Sequence, residues 1–385
     1  MEPIGIGIIG TGFGLNVHLP ALQEHPQAKV VALWHRDDHK AQQLAAKHQI
    51  NLGTSELNQL LAVPSLAAVA IATPPHLHYA QAKAAITAGK HVFLEKPITL
   101  ALNEALELEQ LARSHGVIVA TDFEFRFVPQ WRYFHDLLSP AMISDTIGGK
   151  RSIMISWLVQ GRANPQRIWN WYSQKSCGGG ALGAIGSHSF DYVRWLFGDV
   201  KRLCGQLSTA ITQRPDADGV MQAVDVDDSC NVLLELVDGT PCNLALSTVA
   251  YGGTGHWLTV YGDQGTLTLG SSHPSDYVHG FTVSFLKAGQ MESQILAIPE
   301  EYHLPKTFAD GRIAPVSAVF GAWLAAINQQ GSHQADNLGS LNHHLSMANV
   351  PSLREGIYSQ MLLDLTRESH EQRCWLDVPQ LEIFS

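Results

Sequence analysis

Five short apolar runs in the first third of the chain constrain its fold most: "IGIGII" (4–9), "KVVALW" (29–34), "SLAAVAIA" (65–72), "HVFLE" (91–95) and "GVIVAT" (116–121). Between them lie segments of helical spacing such as "HLHYAQAKAAITAGK" (76–90). Near-continuous apolar strands alternating with helices indicate βαβ units, hence a parallel sheet covered on both faces. Gly89 and Gly116 stand where left-handed residues end helices. This α/β pattern predicts a first domain over residues 1–122.

Beyond about Val200 the texture changes to two-residue alternation. "NVLLELVDGTPCNLALSTV" reads as two strands joined at Asp238-Gly239, and "HWLTVYGDQGTLTLG" as two more joined around Gly262 to Gly265. Helical spacing returns at 315–329 and 351–368, and 331–349, rich in His, Asn, Gln and Ser, reads as an exposed connection. Residues 123–385 are therefore expected to form an α+β domain with a mainly antiparallel sheet.

A net charge of −10 leaves no broad basic surface, which excludes nucleic acid and anionic membrane as expected partners. No apolar run reaches the roughly 18 residues that span a bilayer, and the first residues lack a basic leader, so a cytoplasmic protein is expected. The five cysteines are scattered without a C-x-x-C pair, and the 19 histidines show no ligand spacing. No metal is expected.

"GIIGTGFGLNVHLPAL" follows the first strand and opens a helix. Gly10 suits the tight turn and Gly12 the close approach of a dinucleotide pyrophosphate, with Thr11 and Phe13 completing the cradle. This predicts an NAD(P)-binding Rossmann domain. The third fingerprint glycine falls at Leu15, so the helix is expected to stand further from the strand there. The second strand ends at Trp34 and is followed by His35 and Arg36. An arginine without an acid at position 35 suits the 2′-phosphate of NADP; the alternative is NAD, with Arg36 a solvated charge and Asp37 on the ribose.

"GKHVFLEKPITL" puts Glu95, Lys96 and Pro97 after a buried strand, at the carboxyl edge where open α/β sheets bind ligands. A lysine there stabilises negative charge growing on a substrate oxygen; the plainer reading is a lysine snorkelling at a strand end.

The stretches "GTGFGLNVHLPAL", "AVAIATPPHLHYAQAKAAITAGKHVFLEKP" and "GALGAIGSHSFDYVRWLFGD" closely resemble the Gfo/Idh/MocA family of nicotinamide-dependent oxidoreductases. The resemblance implies that Thr73, Pro74, His78, Glu95 and Lys96 line the cofactor cleft and that Lys96 is catalytic. It also implies an open antiparallel sheet in the second domain, one face forming a homodimer or homotetramer.

By the same resemblance His188 stands at the family's catalytic histidine position, although read in isolation it is more readily a satisfied structural histidine. The carboxylate common four residues earlier is replaced by Ala184, which leaves Lys96 as the expected partner of His188. Asp191, three residues on, either orients the imidazole or simply suits a first helical turn. Arg126, in "TDFEFRFVPQW", resembles a family position near the substrate, or else makes an interdomain ion pair. Trp169 and Trp171 offer flat walls for a sugar ring, although aromatic residues more often serve a core.

The expected activity is NAD(P)-dependent hydride transfer to or from a sugar, cyclitol or related polyol, with Lys96 and His188 handling the proton. Two alternatives remain: a cofactor-binding sensor of the same fold, suggested by Ala184, and redox-assisted elimination or glycoside cleavage with tightly bound cofactor.

Overall fold

The computed structural model describes residues 2–273, 279–335 and 350–381. The expected connection at 331–349 lies outside the described residues from 336 onward. The chain closes into two compact units: residues 1–124 with 312–357, and 125–311 with 358–385.

In the first unit, strands β1 (Ile4–Ile9), β2 (Ala28–Trp34), β3 (Leu52–Thr54), β4 (Leu66–Ile71), β5 (His91–Leu94) and β6 (Val119–Thr121) form one sheet in the order β3-β2-β1-β4-β5-β6. Every pairing is parallel. The five apolar runs become β1, β2, β4, β5 and β6; β3, Leu52-Gly53-Thr54, is an edge strand without an apolar run. Helices α1 (Leu19–Gln23), α2 (Asp38–Lys47), α3 (Leu57–Leu61), α4 (His78–Thr87) and α5 (Leu102–His115) make the connections. Gly116 caps α5 with φ 62°.

The second unit contains α6 (Pro129–Leu137), α7 (Ser187–Phe197) and a nine-stranded sheet. Its main strands are β7 (Lys150–Leu158), β8 (Val200–Ser208), β11 (Ser229–Leu236), β12 (Pro241–Ser247), β13 (Gly255–Gly262), β14 (Gly265–Ser271) and β15 (Thr282–Lys287), β9 (Gln213–Pro215) and β10 (Met221–Ala223) forming a separate ribbon. Both expected hairpins form, β11 to β12 through Gly239 at φ 86° and β13 to β14. One pairing, β12 with β7, is parallel. Alternation sorts the faces: Val232, Leu234 and Leu236 of β11 are buried, whereas Leu233 is exposed.

The expected second domain ran unbroken from 123 to 385, but the chain returns to the first unit at Arg312. Helix α8 (Ile313–Ala335) carries Phe320 and Trp323, both fully buried. Phe320 stacks on Phe93 of β5 with centroids 3.9 Å apart, and Trp323 meets the same ring at 5.6 Å. Burying these rings against β5 recruits the helix to the parallel sheet. Helix α9 (Leu353–Gln372) follows. Among the described residues no helix is long and apolar enough to cross a membrane.

Trp323→Ala is expected to destabilise the first unit by about 3–5 kcal/mol, the usual cost of truncating a buried aromatic residue. Urea unfolding of the variant against the parent chain checks this, and an unchanged midpoint would contradict the packing.

Candidate active site

The phosphate turn begins where β1 ends. Gly10 has φ 105°, and a Cβ there would stand 2.6 Å from the Ala72 carbonyl oxygen, so both conformation and space demand glycine. Nothing lies within 4 Å of a Cβ built on Gly12. That opening fits a pyrophosphate against the backbone, and any side chain at position 12 would fill it. Position 15, where the third fingerprint glycine would fall, is the half-buried Leu15. Gly14 supplies the close packing instead, its Cβ position 2.8 Å from Ile8, and a π-helical turn at Gly14–His18 takes up the changed spacing before α1.

At the end of β2, Trp34 donates its indole N–H to the Ser55 carbonyl. His35 Nδ1 accepts from the Asp37 backbone N–H, and Arg36 is exposed. Asp37 caps α2, its Oδ1 accepting from the Lys40 N–H at 2.9 Å, and this bond holds its carboxyl below the usual range.

Thr73 donates its hydroxyl to Gln81 at 2.6 Å. The buried His78 bridges two turns, with Nε2 at 2.7 Å from the Thr73 carbonyl and Nδ1 at 2.9 Å from that of Pro97. Burial lowers its pKa against the pull of those carbonyls. A neutral imidazole carries one N–H, so it donates to one of them at a time. His78 thus ties the Thr73-Pro74 turn to the segment after Lys96, whose bond to Pro97 is cis. Lys96 itself is half-buried just past β5.

Glu95 does not stand alone. His18 Nε2 is 3.0 Å from Glu95 Oε1 and 3.6 Å from Asp122 Oδ2, and the three residues are 0%, 8% and 1% exposed. Burial pulls the His18 pKa down, but the adjacent Asp122 and Glu95 carboxylates overcome this and raise it to about 9. Burial and the neighbouring Glu95 charge push Asp122 up to about 7. Burial also raises Glu95, yet the bond to His18 prevails and holds it low, whereas burial and the Asp122 charge hold Glu124 well above the usual range. Sequence reasoning missed His18, Asp122 and Glu124. A signal existed for Asp122, an acid directly after the apolar run "GVIVAT", as Glu95 follows "HVFL".

In the second unit, a π-helical turn at Leu182–Gly186 leads into α7, so the helix starts where the glycine-rich segment predicts. His188 is buried, edge-on to Phe125 at 5.1 Å and tilted against Trp157 at 6.1 Å. Arg126 grips the Asp191 carboxylate with a two-pronged pair, Nη2 to Oδ1 at 2.6 Å and Nε to Oδ2 at 3.0 Å. The Arg126 pair therefore lies within one unit. Trp169 donates its indole N–H to Ala223, and Trp171 packs edgewise on Tyr172 at 5.7 Å; both indoles are half-buried.

The buried cluster fixes a sign for pH dependence. A histidine whose pKa rises on folding contributes stability that is complete below its unfolded value of about 6.5 and is lost as pH climbs through the folded value. Asp122, raised on folding, weakens the fold as pH climbs towards 7, and Glu95 stays ionised throughout. Thermal unfolding from pH 6.5 to 9 is expected to show a steady fall, on the order of 3 kcal/mol for a shift of the His18 size. His18→Gln is expected to flatten that fall; an equal slope in the variant would contradict the assignment.

Residues 4–123 match an oxidoreductase family model with an NAD-binding Rossmann fold, and residues 141–268 match the GFO/IDH/MocA C-terminal domain. The "uncharacterized oxidoreductase sll0816" of Synechocystis sp. is 46% identical over 379 residues, covering 98% of this chain and 96% of its own. Two solved structures share the fold at lower identity. Levoglucosan dehydrogenase in complex with NADH and L-sorbose superposes with a TM-score of 0.83 at 24% identity, over 99% of this chain and 100% of that one. An inositol dehydrogenase homolog from Azotobacter vinelandii, complexed with NADH and myo-inositol, gives 0.80 at 18% identity over 98% of each chain. With both halves matched, and a relative of that identity spanning almost the whole length, the chain belongs to the Gfo/Idh/MocA family of NAD-binding oxidoreductases.

Proposed function

We propose that this oxidoreductase transfers a hydride between a nicotinamide cofactor and a carbinol or carbonyl carbon of a sugar, cyclitol or related polyol. The observation that carries the reading is the placement of Lys96 directly past β5, on the same sheet edge as the open Gly10-Thr11-Gly12-Phe13 turn. The substrates named with the levoglucosan and inositol dehydrogenase structures support the carbohydrate class.

When bound, the nicotinamide supplies or accepts the hydride. The backbone N–H groups of the turn hold the pyrophosphate. Thr73, Pro74, His78 and Glu95 line the cleft, the first three braced by the His78 bridge. The Lys96 ammonium stabilises charge on the reacting oxygen, and His188 exchanges its proton. Arg126, Asp191, Trp169 and Trp171 contact the substrate, Arg126 and Asp191 acting as one ion pair. In this reading the Rossmann domain binds cofactor, and the domain beginning near residue 123 binds substrate and assembles the oligomer.

NADP is the preferred cofactor. Arg36 is exposed at the end of β2, and the Oδ1 of Asp37, the rival group for the ribose, already caps α2. The outer face of the nine-stranded sheet makes the homodimer or homotetramer. A cavity of about 420 Å³ opens there among Met154, Leu233, Trp257 and Thr259, and Met154, Leu233 and Tyr261 are exposed on the strands.

Nicotinamide absorbance, followed with NADP and NAD separately against free sugars, cyclitols and their keto forms, tests the activity. Lys96→Met is expected to lower turnover on the order of 100-fold or more while still binding cofactor. Undiminished turnover would remove Lys96 from the mechanism, and binding without turnover across the panel would favour the sensor reading. Arg36→Ala is expected to weaken NADP binding by about 10- to 100-fold, the loss of charge-assisted bonds, and to leave NAD within about threefold.

A further inference from the structure

The buried His18 belongs to two parts of the first unit at once. Its backbone closes the π-helical turn that starts at Gly14, so it is part of the phosphate turn. Its imidazole reaches Glu95, past the end of β5, and Asp122, past the end of β6. Those strand ends are held in register: Glu95 donates its N–H to Ile71, and Asp122 donates its N–H to Leu94.

The surroundings make this link stiff and electrostatically strong. Phe13, Phe93 and Phe320 each present an edge or face to the imidazole, with centroids 5.3 Å away. No water-like medium screens the charges inside such a ring of aromatic carbon, and removing one member of a buried pair leaves the other uncompensated. The groups that bear on the cluster are Glu95 and Lys96 after β5, Asp122 and Glu124 after β6, His78 at the start of α4, and Arg312, whose guanidinium lies 5.2 Å from the Phe13 ring.

We propose that His18 is a positioning residue: through Glu95 and Asp122 it ties the phosphate-binding turn to the strand end that carries Lys96, holding both halves of the cofactor cleft in register. The proposal rests on the reading that this cleft takes a nicotinamide dinucleotide. It adds a coupling between the two halves, which a ligand feels only when it spans both.

The test compares whole cofactors with fragments that fill the turn half alone. Binding of NADPH and NADH, and of 2′-phospho-ADP and ADP, is measured by fluorescence and calorimetry on the full chain and on His18→Gln. The variant is expected to bind the preferred dinucleotide about tenfold more weakly while the matching fragment stays within about threefold. In His18→Gln/Glu95→Gln the His18 effect is expected to shrink relative to that in the parent chain, because the imidazole acts in part through that carboxylate and in part through Asp122. Equal weakening of dinucleotide and fragment would show a merely structural role and overturn the proposal, as would no weakening of either.

Should His18→Gln fail to fold, the same comparison on the parent chain decides. Between pH 7 and 10, dinucleotide affinity is expected to fall relative to fragment affinity as the imidazole loses its proton, and a constant ratio would overturn the coupling. A parent chain that binds neither dinucleotide would overturn the underlying reading and the proposal with it, whereas loss of the Lys96→Met effect alone would leave the coupling standing.

Discussion

A parallel sheet covered on both faces leaves one place for polar chemistry, the edge where its strands end. Each strand interior here is spent on apolar contacts, and the ladder hydrogen bonds continue one residue past the strands: Gly10 to Trp34, Ala72 to Ile9, Glu95 to Ile71 and Asp122 to Leu94. Those bonds fix the backbone at the carboxyl edge before any side chain is placed. Gly10, Thr73, Glu95, Lys96 and Asp122 all inherit their positions from that register, which is why open α/β sheets put their ligands there.

The strands of the first sheet could be read from sequence because their largely buried interiors leave apolar runs, and β11 to β14 because burial of alternate residues leaves a period of two. β3 escaped because its sequence, Leu52-Gly53-Thr54, holds one large apolar residue, whereas the equally short β6 is preceded by the apolar residues of its run. β7 escaped for another reason: its inward residues Ile153, Ile155 and Trp157 alternate with Met154, an exposed apolar side chain that blurs the period of two. The return of α8 to the first sheet was also hidden, since its apolar spacing says that Phe320 and Trp323 need a partner but does not say which sheet provides it.

Site residues divide along the same line. Gly10 and Gly12 were legible because the turn needs them for local reasons, a left-handed φ and open space above the backbone. The third glycine misled because the sequence rule assumes an ordinary helical turn, while the wider π-helical turn moves the packing role to Gly14. Partnerships across long separations were not legible. Arg126 and Asp191 are 65 positions apart, and His18 and Glu95 are 77 apart. His18, moreover, lies between the buried Val17 and Leu19, so neighbouring sequence marks it only as part of an apolar stretch.

His18 is core by its burial but not by its chemistry. A cavity walled by Phe13, Phe93 and Phe320 would be filled more cheaply by leucine or methionine, since desolvating charges opposes folding even when they are paired. The sequence instead places an imidazole there and faces it with two carboxylates, so part of the stability gained from the aromatic packing offsets their burial. Local rules broken at such expense concentrate where a protein handles ligands. The cluster lies on the carboxyl edge, directly before Lys96 in the chain, and the ion pair of Arg126 and Asp191 repeats the arrangement beside His188 in the second unit. In both units the residue expected to meet substrate follows or flanks a buried charge whose partner comes from a distant part of the chain, which makes the reacting groups depend on the folded register rather than on local sequence.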